Sequence, residues 1–188
     1  MFSKAIVRTP GKSLIDGLTY SKHLGSPDYQ KAITQHKAYI KALQSCGLEV
    51  HVLESCEDYP DSTFVEDVAL ITPKCAIFTR PGAESRRGEV EQIETVLRDQ
   101  FDNVERVEAP GTIEAGDIMM VDNHYYIGLS DRTNIQGAEQ IIGILNKYGY
   151  TGSTVNLKEV LHLKTGLSYL ENNLLVICGE FKNDPIFS

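Results

Sequence analysis

Residues 117–157 read DIMMVDNHYYIGLSDRTNIQGAEQIIGILNKYGYTGSTVNL, and this stretch decides the fold. Asp117–Val121 is a short apolar, β-rich run, Asp122-Asn123 is a turn pair, and Tyr125–Leu129 is a second β-rich run. Ile135, Ala138, Ile141, Ile142 and Leu145 then recur at helical spacing, and Gly149 closes the stripe. Thr154–Leu157 completes the unit. Its order is strand, tight turn, strand, helix, strand.

The same order occurs upstream, over Asp67–Val107. Strands are predicted at Val68–Thr72, Cys75–Phe78 and Val104–Val107, with Pro73-Lys74 as the turn and Val90, Ile93, Leu97 and Phe101 as the helix stripe. A third copy opens at Gly166, with strands Leu167–Leu170 and Leu174–Cys178 around the Glu171-Asn172 turn. The copies start at 67, 117 and 166, so the period is 50 and then 49 residues. A period of that length marks a ββαβ module that cannot bury its faces alone. The fold class is therefore read as α/β, an α/β propeller of such modules around a centre.

Before the repeat lie a strand at Lys4–Thr9, a helix and a strand at Glu49–Leu53. Ser26-Pro27 is read as the cap and first-turn proline of that helix, Tyr29, Ile33, Ile40 and Leu43 as its stripe, and Gly47 as its stop. The expected organisation is one domain over 1–188, with about three modules plus the first two strands of a fourth. That last copy has two strands written and no helix, so the remaining C-terminal part of a ring is expected to lie outside these residues.

Composition limits the partners. The 188 residues carry 18 basic and 26 acidic side chains, a net charge of −8, whereas nucleic acid and anionic membrane surfaces need a basic footprint. No apolar run is long enough to span a bilayer, and Met1–Gly11 has no signal-like apolar core, so the cytoplasm is the default. Cys46, Cys56, Cys75 and Cys178 show no ligand-like spacing, and Cys46, Cys75 and Cys178 are expected as small buried core residues. His23, His36, His51 and His124 form no ligand-spaced cluster, so no metal site is expected. The glycines of 80–88 lack phosphate-loop or dinucleotide spacing.

The chemistry sits just before the first strand of each repeat. Glu66 and Asp67 stand there in the first copy, Glu114 and Asp117 in the second, and His162 in the third. Alone, each has an ordinary reading as a capping acid or a structural histidine. Placed at equivalent strand ends they converge, and carboxylates around an imidazole suit a planar cation plus proton transfer. Gly111, Gly116 and Gly166 flank these positions, either letting the backbone approach a ligand closely or serving as turn glycines. Arg86-Arg87 and Arg132 open the second and third helices, where a guanidinium opposes the helix dipole. Capture of a carboxylate by a guanidinium fork is the functional reading, with one of Arg86 and Arg87 left as a solvated charge.

Phe-Val-Glu-Asp at 64–67, Arg-Pro-Gly-Ala-Glu-Ser-Arg-Arg-Gly-Glu at 80–89, Glu-Ala-Gly-Asp-Ile-Met-Met at 114–120 and His-Leu-Lys-Thr-Gly-Leu at 162–167 together resemble the bacterial dimethylarginine dimethylaminohydrolases. Arg-Thr-Pro at 8–10 and Leu-Ile-Asp-Gly-Leu at 14–18 fit as well, so the resemblance covers essentially the whole chain. It implies a five-bladed pentein propeller with pseudo-fivefold arrangement. It further implies hydrolysis of Nω-methylated arginine to citrulline and dimethylamine by a cysteine thiolate, through a thiouronium intermediate.

By the same resemblance, His162 is the catalytic histidine and Glu114 the acid beside it. Asp67 binds the substrate guanidinium, Asp61 and Glu66 line its pocket, Arg86 and Arg132 hold the substrate carboxylate, and the Leu18 backbone meets the amino-acid end. The family's nucleophile is a cysteine in a glycine-rich C-terminal context that none of Cys46, Cys56, Cys75 and Cys178 shares, so it is expected beyond residue 188 and the chain alone is expected to be inactive. No cofactor is implied, the partner is a small methylated arginine, and a homodimer is allowed. Two other readings stay open: an arginine deiminase-like hydrolase, and a guanidinium-binding module without catalysis.

Overall fold

The computed structural model describes residues 2–183 and 186–187, and the chain divides into two compact units, Met1–Val65 and Glu66–Ser188. In the first unit β1 (Lys4–Arg8) pairs in parallel with β2 (Glu49–Leu53), and α1 (Tyr29–Ser45) connects them. The cap of α1 is Asp28 rather than Ser26. Its carboxylate accepts the Lys31 amide at 3.0 Å, which satisfies one of the amides that the first turn leaves without a partner. The stripe of Tyr29, Ile33, Ile40 and Leu43 has the expected spacing, yet no residue of α1 is buried within this structure.

The second unit holds the repeat. β3 (Ala69–Ile71), β4 (Ala76–Phe78), α2 (Glu89–Arg98) and β5 (Val104–Arg106) form one copy. β6 (Ile118–Val121), β7 (His124–Leu129), α3 (Ile135–Lys147) and β8 (Thr151–Asn156) form the next. In both, the first two strands are antiparallel and the last two parallel. The chain reverses through a tight turn in the first step, whereas the helix carries it back to the same end of the sheet in the second. β9 (Leu167–Glu171) and β10 (Leu174–Ile177) make an antiparallel hairpin. The three leading strands begin at Ala69, Ile118 and Leu167, each 49 residues after the one before. The architecture is α/β with mixed sheets.

Most element ends shift by a residue or so from the sequence reading, and two differ by three residues. Phe101 lies beyond α2, which buries Val90, Ile93 and Leu97 and stops at Arg98. β8 begins at Thr151, three residues early, because Gly152 pairs with Tyr125 of β7. A Cβ at Gly152 would stand 2.9 Å from Ile142, so a residue of poor strand propensity is required by the helix packed above it.

One apolar cluster joins the two repeats, with Ile77, Ile113, Ile118, Tyr125, Ile127, Ile141 and Leu145 in it. A second gathers Met119, Val155, Leu163, Leu167 and Phe181 around the hairpin. Only Cys75 follows the expectation of buried cysteines. Cys46 and Cys178 are exposed, because they end an element at its solvent side instead of lying within its packed face.

Candidate functional site

Each leading strand of the second unit is preceded by a short helical turn. These turns are Val65–Val68, Ala115–Asp117 and α4 (Leu163–Gly166). Asp67 lies in the first, Glu114 is the capping residue of the second, and His162 is the capping residue of the third. All three are buried, and one polar atom from each lies within 4.8 Å of the other two. Residues almost a hundred positions apart therefore meet through the repeat.

Gly116 makes the approach possible. Its amide donates to Asp67 Oδ1 at 3.1 Å. A Cβ there would stand 2.7 Å from that oxygen and 3.1 Å from the His162 ring. Without a side chain, Gly116 lets Asp67 and His162 close in on its backbone from two sides. Gly166 is likewise crowded, a Cβ falling 2.5 Å from the Phe181 ring, but that contact is core packing.

Arg86 occupies the floor of the cluster. Its Nη1 donates to Asp67 Oδ2 at 2.7 Å and stands 3.5 Å from Glu114 Oε2, while Nε and Nη2 hold both oxygens of Glu89. Burial would by itself make this guanidinium easier to discharge, but Glu89 and Asp67 outweigh it and hold it charged. Glu89 was not singled out in the sequence, though its i,i+3 spacing from Arg86 was a readable sign. Arg132 reaches Glu114 from the other side, Nη1 to Oε1 at 3.5 Å. It precedes α3, whose cap is Asn134, so it stands outside the helix instead of opposing its dipole.

His162 has Nε2 3.5 Å from Glu114 Oε2 and Nδ1 3.2 Å from Asp117 Oδ1. Burial pulls its pKa down, yet the hydrogen-bonding and charge of Asp117, with the charges of Asp67 and Glu114, raise it above the ordinary histidine value. Among the described residues, four buried acidic side chains (Asp67, Glu89, Glu114, Asp117) thus gather with the guanidiniums of Arg86 and Arg132 around the imidazole. Asp117 appeared in the sequence as part of the repeat but without a role of its own.

Glu66 is exposed and bound to Lys164. Leu18 and Asp61 belong to the first unit, where the Leu18 amide donates to both carboxylate oxygens of Asp61, at 3.0 and 3.2 Å. Arg87 is the solvated member of its pair, bridged to Glu84. Among the described residues, Asp67, Glu114 and His162 are also the group that offers ligand-like geometry to a cation, a set that histidine spacing alone did not reveal. His124, by contrast, rests on Thr151 and Ser153 hydroxyls.

A family model described as eukaryotic N,N-dimethylarginine dimethylhydrolase matches residues 22–184. The N(G),N(G)-dimethylarginine dimethylaminohydrolase of Pseudomonas aeruginosa is 61% identical over 188 residues, all of this chain and 74% of that protein. The enzyme of the same name from Streptomyces coelicolor is 34% identical over 173 residues, 92% of this chain and 67% of its own. A solved structure of a cysteine-to-serine variant of the Pseudomonas aeruginosa protein, complexed with citrulline, superposes with a TM-score of 0.98 at 60% identity, covering 100% of this chain and 73% of that one. The residue pattern, the module order and these likenesses converge: the chain belongs to the dimethylarginine dimethylaminohydrolase family.

Proposed function

We propose that this protein hydrolyses Nω-methylated arginine to citrulline and dimethylamine. The observation that carries the reading is the buried meeting of Asp67, Glu114 and His162 within 4.8 Å. Two carboxylates there offer a planar guanidinium charge-assisted hydrogen bonds, and the imidazole beside them can exchange a proton with the leaving amine. In this reading a thiolate attacks the guanidinium carbon and dimethylamine leaves with a proton. Water then cleaves the resulting thiouronium and releases the thiolate.

His162 is the proton-transfer group, Glu114 its neighbouring acid, and Asp67 the guanidinium partner. Arg86 and Arg132 are assigned to the substrate carboxylate, the Leu18 backbone to the amino-acid end, and Asp61 and Glu66 to the lining of the guanidinium pocket. For Arg86 that assignment requires the guanidinium to loosen its hold on Asp67 and Glu89. The reading assigns the thiolate to none of the four cysteines. Cys75 is buried with its thiol pKa pushed up by burial, and Cys178 Sγ lies 3.8 Å from the Thr165 carbonyl. The ββαβ modules are read as blades of a pseudo-fivefold pentein propeller, and the protein as a cytoplasmic enzyme whose partner is the small substrate, with a homodimer allowed.

The test is a titration of residues 1–188 with citrulline and with dimethylarginine, following the His162 imidazole resonances, beside a citrulline assay. Shifts at His162 with both ligands are expected. Unmoved His162 resonances with both ligands overturn the site, and citrulline production by this chain assigns the thiolate to one of its own cysteines.

A further inference from the structure

We infer that Asp117 is a positioning residue for His162, clamping the imidazole by Nδ1 so that Nε2 is presented to Glu114 and to a bound guanidinium. This rests on the functional reading above and deepens it. Asp117 is fully buried. Its Oδ2 accepts the hydroxyls of Ser130 at 2.7 Å and Thr133 at 2.6 Å, and its Oδ1 accepts the Leu163 amide at 3.1 Å. Three donors from two separate segments therefore fix the carboxylate, and one of them is the residue next to His162.

The same carboxylate ties together the groups that surround the imidazole. Ser130 Oγ also accepts the Arg132 amide, and Thr133 Oγ1 accepts the Glu114 amide, so both neighbours of the reacting centre hang on the hydroxyls that hold Asp117. Oδ1 stands 3.2 Å from His162 Nδ1, without the geometry of a formed hydrogen bond between them. Nδ1 and Glu114 Oε2 are thus buried polar atoms lacking an aligned partner among the described residues. A buried donor beside a fixed carboxylate gains by aligning with it, since leaving it unmatched carries a desolvation cost. A proton held on Nδ1 leaves the lone pair of the neutral ring on Nε2, the atom that faces Glu114. Among the described residues, the charges that face the ring are those of Asp117, Asp67 and Glu114, with Arg86 acting through Asp67 and Glu114 and Arg132 through Glu114.

The experiment is nitrogen-15 and carbon-13 NMR of the imidazole in residues 1–188, in the native sequence and in Asp117→Asn. In the native protein the neutral ring should carry its proton on Nδ1, and the Asp117→Asn change should lower the His162 pKa by about 1–3 units. A neutral ring protonated on Nε2, or an unchanged pKa in folded Asp117→Asn, overturns the inference. Should that variant not fold, the native tautomer still decides. Citrulline titrated into the same samples separates the two proposals. An Nδ1-protonated ring that ignores citrulline defeats the functional reading and leaves the clamp in place, whereas a responsive ring protonated on Nε2 does the reverse.

Discussion

Arg86 reaches Asp67 Oδ2 at 2.7 Å while grasping both oxygens of Glu89, with its own side chain only 5% exposed. A guanidinium placed this way is the countercharge that lets the carboxylates be buried together. Arg86→Ala strands Asp67 and Glu89 in a dry setting, and loss of one partner from such a network costs about 3–5 kcal/mol. Urea denaturation should show a lower midpoint at unchanged slope. Arg86→Lys, which keeps the charge but not the fork, should fall between. A loss below about 1 kcal/mol for the alanine variant would place Arg86 outside the buried network.

Gly116 separates the Asp67 carboxylate from the His162 ring by the thickness of a backbone. Gly116→Ala inserts a methyl 2.7 Å from an oxygen and 3.1 Å from the ring, and neither neighbour is a free surface chain. Overpacking of this kind costs about 1–3 kcal/mol. Because the displaced groups are the candidate site itself, the His162 resonances should move and citrulline binding should drop. An alanine variant with native His162 shifts would show that the clash relaxes elsewhere.

The raised pKa of His162 sets a pH window. The folded state binds this proton more tightly than the unfolded chain, whose histidine titrates near about 6.5. The stabilisation is therefore full below that value and is lost as pH rises through the higher folded value. Stability curves of the native protein and of His162→Gln should converge on the alkaline side of the window and separate on its acid side. Curves that stay parallel across it would mean that His162 titrates as it does in the unfolded chain.

The repeat was legible because strand alternation, turn pairs and helix stripes recur at a fixed spacing, and Asp67, Glu114 and His162 could be matched by their place in it. Residues whose role depends on partners far along the chain were not. Glu89 and Asp117 look like ordinary acids until Arg86 and His162 are brought beside them. Gly152 hides the start of β8, since its fitness for a strand comes from Ile142 above it. Cys46 and Cys178 have apolar neighbours in sequence, but element ends turn them outward. Ser26 lost the cap to Asp28 because the carboxylate two residues later reaches the Lys31 amide.

Arg132 differs from Arg86 in ways that separate binding from stability. Its backbone is fixed, with the amide on Ser130 Oγ and its main chain so close to Gly82 that a Cβ there would fall 2.5 Å away. Its side chain approaches Glu114 at 3.5 Å, where Arg86 already supplies countercharge to the same carboxylate. Arg132→Ala should therefore unfold at a urea midpoint much closer to native than Arg86→Ala does. If Arg132 holds the carboxylate of the ligand, losing that charged contact costs about 1.5–3 kcal/mol, or about 10- to 150-fold in citrulline affinity. Isothermal titration of the variant with citrulline reads this directly. Affinity within about twofold of native would remove Arg132 from ligand binding and leave it as a second countercharge of Glu114.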